Sequence, residues 1–189
     1  MQVEICSNQY LCSHVHGGNM IAYTDGGSRG PGMHGAVGGV LYLPGGDAVA
    51  IISQYLGVNI DSNEAEYHAV IALLQRCLEM NAMIFPHVRE IHIHTDSRIL
   101  VNHRKSRLNM RSEKLKLLFG RIGELESRLK KNLQGGFSIE YHYVRRERNR
   151  IADHLVNEAF RDRFQKTRLG KPKKRTDREV SEGEPRALA

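Results

Sequence analysis

The sequence predicts an α/β fold: a five-stranded mixed sheet flanked by helices, with the first three strands antiparallel and the later strands parallel. Three observations predict it. Three apolar runs follow one another early in the chain, with a turn signal between the second and third. The pattern then changes to helix, strand, helix, strand, helix. The two strand-like runs of the second half are each followed by a helical period, which allows parallel pairing through right-handed crossovers.

The elements follow in order. "MIAYTD" (20–25) reads as a strand, "AVGGVLYL" (36–43) as a second and "AVAIISQYL" (48–56) as a third, with "PGG" (44–46) as the hairpin between the last two. "SNEAEYHAVIALLQRCLEM" (62–80) puts Ala65, Ala69, Ala72 and Leu73 on one helical stripe, with Ser62 or Asn63 as its N-cap. "VREIHIHTD" (88–96) is a strand ending in an aspartate, as the first strand does. "SEKLKLLFGRIGELESRLKKN" (112–132) has the period of a long amphipathic helix. "FSIEYHYV" (137–144) is the last strand, and "RIADHLVNEAF" (150–160) the last helix, with Ile151, Ala152, Leu155 and Ala159 facing inward.

Flanking segments differ in composition. Residues 1–19 show no period and read as a loosely ordered lead-in. Residues 161–189 are a basic tail whose few apolar residues cannot offset the entropy of ordering. Residues 20–160 remain as one domain of common size. With 40% hydrophobic and 26% charged residues, the 189-residue chain is ordinary for a soluble protein, and no run is long and apolar enough to span a membrane. Three cysteines without framework spacing and no basic-then-apolar leader point to a reduced, intracellular, cytoplasmic setting. The net charge of +7 favours a polyanionic partner.

Four acids stand at positions that a shared site explains. Asp25 and Asp96 end strands, and ligands of such sheets sit beyond the carboxyl ends of central strands. Glu66 and Asp153 lie near the starts of helices. Taken singly, each reads as a turn former or a partner of a helix dipole. If the first and fourth strands are adjacent, the four can converge. Crowded carboxylates repel, and hard divalent cations such as Mg²⁺ remove that cost. Two such ions activate water on one side of a phosphodiester and stabilise the leaving oxygen on the other, so a basic chain with this site suggests phosphodiester hydrolysis.

The motifs "YTDGGSRGPG", "SNEAEY", "IHTDS" and "VRRERNRIADHLVNEA" occur in one order across residues 20–160 and resemble those of the type 1 ribonuclease H family. The resemblance implies the ribonuclease H-like fold, and a chain that cuts the RNA strand of RNA–DNA hybrids with two Mg²⁺ or Mn²⁺ ions, leaving 5′-phosphate and 3′-hydroxyl ends. It implies that Asp25, Glu66, Asp96 and Asp153 bind the metals. Glu66 takes the role rather than Glu64 because the family's acid directly precedes the tyrosine of "AEY". Asn63 is implied to contact the nucleic acid, with the backbone of Gly26, Gly27 and Ser28 meeting the RNA 2′-hydroxyls, and Arg29 and Ser97 also binding the substrate. The basic stretch "NHRKSRLNMRSEKLK" (102–116), with Arg104 and Lys105, resembles a protrusion that holds the DNA strand, and reads equally as a solvated face.

Two departures from the family pattern stand out. Its usual "GNPG" becomes "SRGPG" here, one residue short, and its mobile histidine loop becomes "VRRERNR", as in a short-loop subgroup with an arginine in that place. Arg146 is the candidate, with Arg145 and Arg148 as competitors, in an electrostatic role. A monomer is expected. The competing readings are a resolvase-like nuclease of the same fold and an impaired hybrid-binding module. Cys6, Cys12, His14 and His16 could hold zinc but lack the usual close spacing. His92 and His94 share one strand face, where they are read as covering a helix rather than binding metal. "KPKKR" (171–175) fits a nuclear-import signal or a nucleic-acid anchor.

Overall fold

Each apolar run pairs where its alternation directs it. The structure, a computed structural model, describes residues 18–84, 88–106, 110–132 and 137–169. The Cys6, Cys12, His14 and His16 set and the "KPKKR" run lie outside the described residues. The elements are β1 (Gly18–Arg29), β2 (His34–Tyr42), β3 (Ala48–Gly57), α1 (Ser62–Ile84), β4 (Val88–Thr95), α2 (Arg98–Ser106), α3 (Glu113–Asn132), β5 (Ser138–Tyr143) and α4 (Arg150–Leu169), with a 3₁₀ turn at Arg146–Arg148. The sheet runs β3-β2-β1-β4-β5. β1, β2 and β3 are antiparallel, whereas β4 pairs parallel with both β1 and β5. This is the mixed sheet expected.

Two layers of helix cover the sheet. α1, α2 and α3 bury the main core on one face, around Tyr67, Leu73, Leu74, Ile91, Ile93, Leu100, Ile122 and Leu125. On the other face α4 lies over β1, β2 and β3, with Val156, Ala159 and Phe160 against Ala36. Among the described residues no helix is long and apolar enough to cross a membrane.

Several details differ from the expectation, most of them through tertiary contact. β1 does not end at Asp25 but continues to Arg29, paired with β2 down to Arg29↔His34. Its glycines are strand residues made necessary by helices: a Cβ on Gly26 would stand 2.1 Å from the Ala65 carbonyl carbon, and one on Gly27 2.9 Å from Val156 Cγ1. The cap of α1 is Asp61 rather than Ser62 or Asn63. Its Oδ1 accepts from Glu64 N (2.8 Å), while Glu64 Oε2 accepts from Asp61 N (2.9 Å), a reciprocal capping box. α2 occupies part of the stretch read as a basic protrusion, anchored by buried Leu100 and Val101. On α4, Ile151 is exposed, and Val156 and Phe160 are buried with Ala152, Leu155 and Ala159. The helix also continues to Leu169, beyond the boundary expected at residue 160.

Candidate active site

Parallel pairing of β1 with β4 ends at Thr24↔Thr95, so Asp25 and Asp96 each stand one residue past the last pair, side by side. Glu66, on the second turn of α1, enters from the opposite face. Gly26 has no Cβ, and this lets the start of α1 close onto β1. Carboxylate oxygens of Asp25, Glu66 and Asp96 all lie within 4.8 Å of one another. Glu66 Oε2 accepts from Thr95 Oγ1 at 3.3 Å, and Thr95 in turn accepts from Ser97 N at 3.1 Å.

Asp153 approaches from α4, where Gly38 makes room: a Cβ there would stand 2.2 Å from the Ala152 carbonyl oxygen. Asp153 lies outside the three-acid cluster. Its Oδ1 accepts from Arg146 at 2.6 Å, and its Oδ2 accepts from Asn157 at 2.9 Å. Its charge nonetheless reaches Asp25.

The electrostatics record the crowding. Burial, then the charges of Asp96 and Asp153, push the Asp25 carboxyl up to about 7, with Arg146 pulling the other way. Burial, then Asp25 and Asp96, push Glu66 well above the usual carboxylate range, against hydrogen bonds from Thr95 and the Gly26 amide. A cluster of hard oxygen donors that resists full ionisation by itself is a fitting seat for a divalent cation.

Glu64 stands apart. Burial would raise it, but the Asp61 amide and Lys114, 2.9 Å from its Oε1, hold its carboxyl below the usual range. It caps α1 and ties it to α3. Of the two glutamates, only Glu66 joins the cluster.

The remaining expected contact residues divide. Asn63 is exposed on the first turn of α1, and Lys105 is exposed on α2. Ser97 Oγ accepts from Leu100 N (3.3 Å) and caps α2. Ser28 Oγ donates to the Ile60 carbonyl (2.7 Å), and the Gly26 amide is directed at Glu66, so these groups are engaged within the fold. Arg29 donates to Asn157 and lies over the Phe160 ring, 4.7 Å from its centroid. Arg104 is turned inward. It pairs with buried Glu126 and lies between Phe119 and Tyr141, so its guanidinium is not offered to a ligand. The shortened "SRGPG" loop closes as a tight turn, with Met33 N bonded to Gly30 O at 3.0 Å, and is tied to residues before α1 by Asn59 N and Ile60 N. Gly30 has φ +73, which favours glycine there.

Sequence reasoning missed Asn149. It is almost fully buried, and its Nδ2 donates to both the Thr24 carbonyl and Asp96 Oδ1 at 3.0 Å, locking Asp96 to β1. Its signal was an asparagine directly ahead of a helix, the preferred N-cap type. Its carbonyl does accept the first helical bond, from Asp153 N, while its side chain turns to the acids.

Comparison with known proteins agrees with this geometry. The family model described as "Reverse transcriptase-like" matches residues 24–159. The Bifunctional protein Rv2228c of Mycobacterium tuberculosis is 29% identical over 142 residues, 75% of this chain, and the chain spans about a third (35%) of that relative's length. The crystal structure of RNase H1 from the halophilic archaeon Halobacterium salinarum is 30% identical, with a TM-score of 0.65 over 77% of this chain and 99% of that one. LC11-RNase H1 in complex with an RNA/DNA hybrid is 26% identical, with a TM-score of 0.66 over 77% of this chain and 99% of that one. Motif order, sheet topology and these matches agree: the chain belongs to the reverse transcriptase-like family, among its type 1 ribonuclease H members.

Proposed function

We propose that the chain is an endoribonuclease that hydrolyses the RNA strand of RNA–DNA hybrids, leaving 5′-phosphate and 3′-hydroxyl ends, with residues 20–160 as its catalytic domain. The observation that carries this reading is the convergence of Asp25, Glu66 and Asp96 within 4.8 Å, with Asp153 beside them. The four acids would hold two Mg²⁺ or Mn²⁺ ions, and such a pair supplies activation of water and stabilisation of the leaving oxygen. A relative of the same fold binds an RNA/DNA hybrid, which supports the substrate.

The protein's own groups then have distinct tasks. Thr95 orients Glu66, and Asn149 orients Asp96. Asp153 is held by Arg146, an exposed guanidinium that cannot take a proton and so acts by charge, releasing Asp153 as the phosphate arrives. This is the task of the short-loop arginine. Asn63, Ser97 and Lys105 are the substrate contacts this reading retains, together with backbone of Gly27 and Ser28. Arg29 and Arg104 serve the fold. One chain supplies all four acids, which suits a monomer, and the positive charge suits a protein working on nucleic acid.

The test is cleavage of labelled RNA–DNA hybrid, DNA duplex and RNA duplex with Mg²⁺, with Mn²⁺ and with EDTA. Metal-dependent cutting of the hybrid's RNA strand alone is expected. Equal cutting of DNA would point to a resolvase-like enzyme, and tight hybrid binding without cutting to an impaired module. Either result sinks the reading.

A further inference from the structure

A second constellation of ligating side chains lies on the sheet face shared with α4, at the half that α4 does not cover. Parity puts it there: Tyr23 and Gly27 have the same parity on β1, Gly27 faces Val156 of α4, and Tyr23 pairs with His94. His92 and His94 therefore face outward from β4 beside Glu140 and His142 of β5, in the registers His92↔Glu140 and His94↔His142. α4 lies over β1, β2 and β3, so the expectation that these histidines cover a helix is corrected. Among the described residues no helix lies over the partly exposed face they occupy.

From this geometry we propose that His92 Nδ1, His142 Nε2 and a Glu140 carboxylate oxygen form a binding site for a borderline divalent transition metal, Zn²⁺ first, separate from the acid cluster. The three donor atoms form a triangle with edges of 2.9 Å (His92 Nδ1 to His142 Nε2), 3.5 Å (His142 Nε2 to Glu140 Oε2) and 3.8 Å (His92 Nδ1 to Glu140 Oε2). Bonds of about 2.0–2.2 Å at tetrahedral angles put neighbouring donors about 3.3–3.5 Å apart, so the observed edges bracket the required one. A shift of a few tenths of an ångström at the shortest edge seats the ion.

The surroundings are those of a supported ligand set. Glu90 Oε2 lies 3.2 Å from His92 Nε2, with the Asn19 amide 3.0 Å from the same nitrogen. Once the Asn19 amide turns its oxygen toward this nitrogen, a proton on Nε2 directed at Glu90 leaves the Nδ1 lone pair for the metal, the carboxylate–histidine–metal relay that fixes tautomer and ring orientation. His94 stacks on His142 with centroids 5.0 Å apart and is itself stacked on Tyr23, forming a wall beside the site. Burial, then neighbouring histidines, lower the His142 and His94 imidazoles below their usual value.

The donor set decides the ion. Two imidazoles and a carboxylate suit Zn²⁺, Cu²⁺, Ni²⁺ or Co²⁺, whereas the all-oxygen acid cluster suits Mg²⁺ or Mn²⁺. His92 precedes Asp96 by four strand positions, about 13 Å, so the two sets do not share an ion. Three protein ligands leave a fourth position for water or an exchangeable ligand, unlike a closed structural zinc site.

The test is calorimetric titration of metal-stripped full-length protein with Zn²⁺, in excess Mg²⁺ to occupy the acid cluster. One Zn²⁺ per chain should bind, and it should raise the melting temperature. The double variant His92→Ala/His142→Ala should lose at least about 100-fold in affinity, and Glu90→Gln about 10–100-fold. Glu140→Gln, at a half-exposed side chain that the fold does not need, should weaken binding about tenfold and decides the matter if the double variant folds poorly. Replacing Cys6 and Cys12 by serine and His14 and His16 by alanine should leave the site unchanged. Equal affinity in the wild type and in the histidine and Glu140 variants, or loss of binding in the N-terminal variant alone, would overturn the proposal.

Discussion

Glu64 and Glu66 lie two positions apart on α1, carry the same carboxyl group, and meet opposite environments. Glu64 accepts an amide hydrogen bond from Asp61 and an ion pair from Lys114, and its proton affinity falls. Glu66 is turned by two residues of helix toward Asp25 and Asp96, with one hydroxyl and one amide to support it, and its proton affinity rises. One site satisfies its charge within the fold. The other leaves charge uncompensated, and that is the mark of a place built for something the chain does not itself contain.

The sharpest way to break this comparison is to neutralise each glutamate in turn. Glu66→Gln should lower hybrid cleavage by roughly 10³-fold, since on the proposed function it removes a ligand of the two-ion centre and with it several kcal/mol of transition-state stabilisation. Hybrid binding should remain near that of the wild type. Glu64→Gln should cleave at close to the wild-type rate but melt earlier. Steady-state kinetics with a gel-shift assay reads both. A dead Glu64→Gln and an active Glu66→Gln would reverse the assignment.

A pH series sharpens the same contrast without touching α1. An acid whose pKa is higher folded than unfolded binds more protons in the native state between the two values, so its stability contribution falls as pH rises through that interval. For Asp25 the interval runs from 3.8 to about 7. The metal-free protein should therefore lose stability across it, on the order of a few kcal/mol from this site. Melting curves in EDTA should show a lower midpoint at pH 8 than at pH 5 with a slope that Asp25→Asn flattens, and saturating Mg²⁺ should raise the midpoint more at pH 8. An unchanged slope in Asp25→Asn would rule out the crowded carboxylates as its source.

How much of this was legible in the sequence depends on the range of the interaction. The strands and the long helices announce themselves by period, and the "PGG" turn by its chemistry, with positive φ at Gly45 and Gly46. Asp25, Glu66 and Asp96, which the structure brings together, were legible as members of one ordered run of motifs. What escaped was fixed by distant partners. Gly26 and Gly27 look like loop residues, since glycine is poor in strands, but they are strand positions that only helix packing explains. Arg104 looks like a surface cation until Glu126, 22 residues on, is found beside it in the interior. α2 carries just two buried apolar residues among its cations, too few for a period. Asn149 reads as a cap, and only its bonds to Thr24 and Asp96, far along the chain, reveal its second task.

The smallest expected effect tests whether the two glutamates are independent. Asp61→Ala removes one half of the capping box and should cost about 1 kcal/mol of stability. The catalytic rate should barely change, because the second turn of α1 is seated by its contact with Gly26 and by the Thr95–Glu66 hydrogen bond rather than by its cap. Chemical denaturation alongside single-turnover cleavage separates the two quantities. A rate loss approaching that of Glu66→Gln would mean that fraying of the first turn reaches the acid cluster. The cap would then belong to the active site, and the contrast between Glu64 and Glu66 would be one of degree.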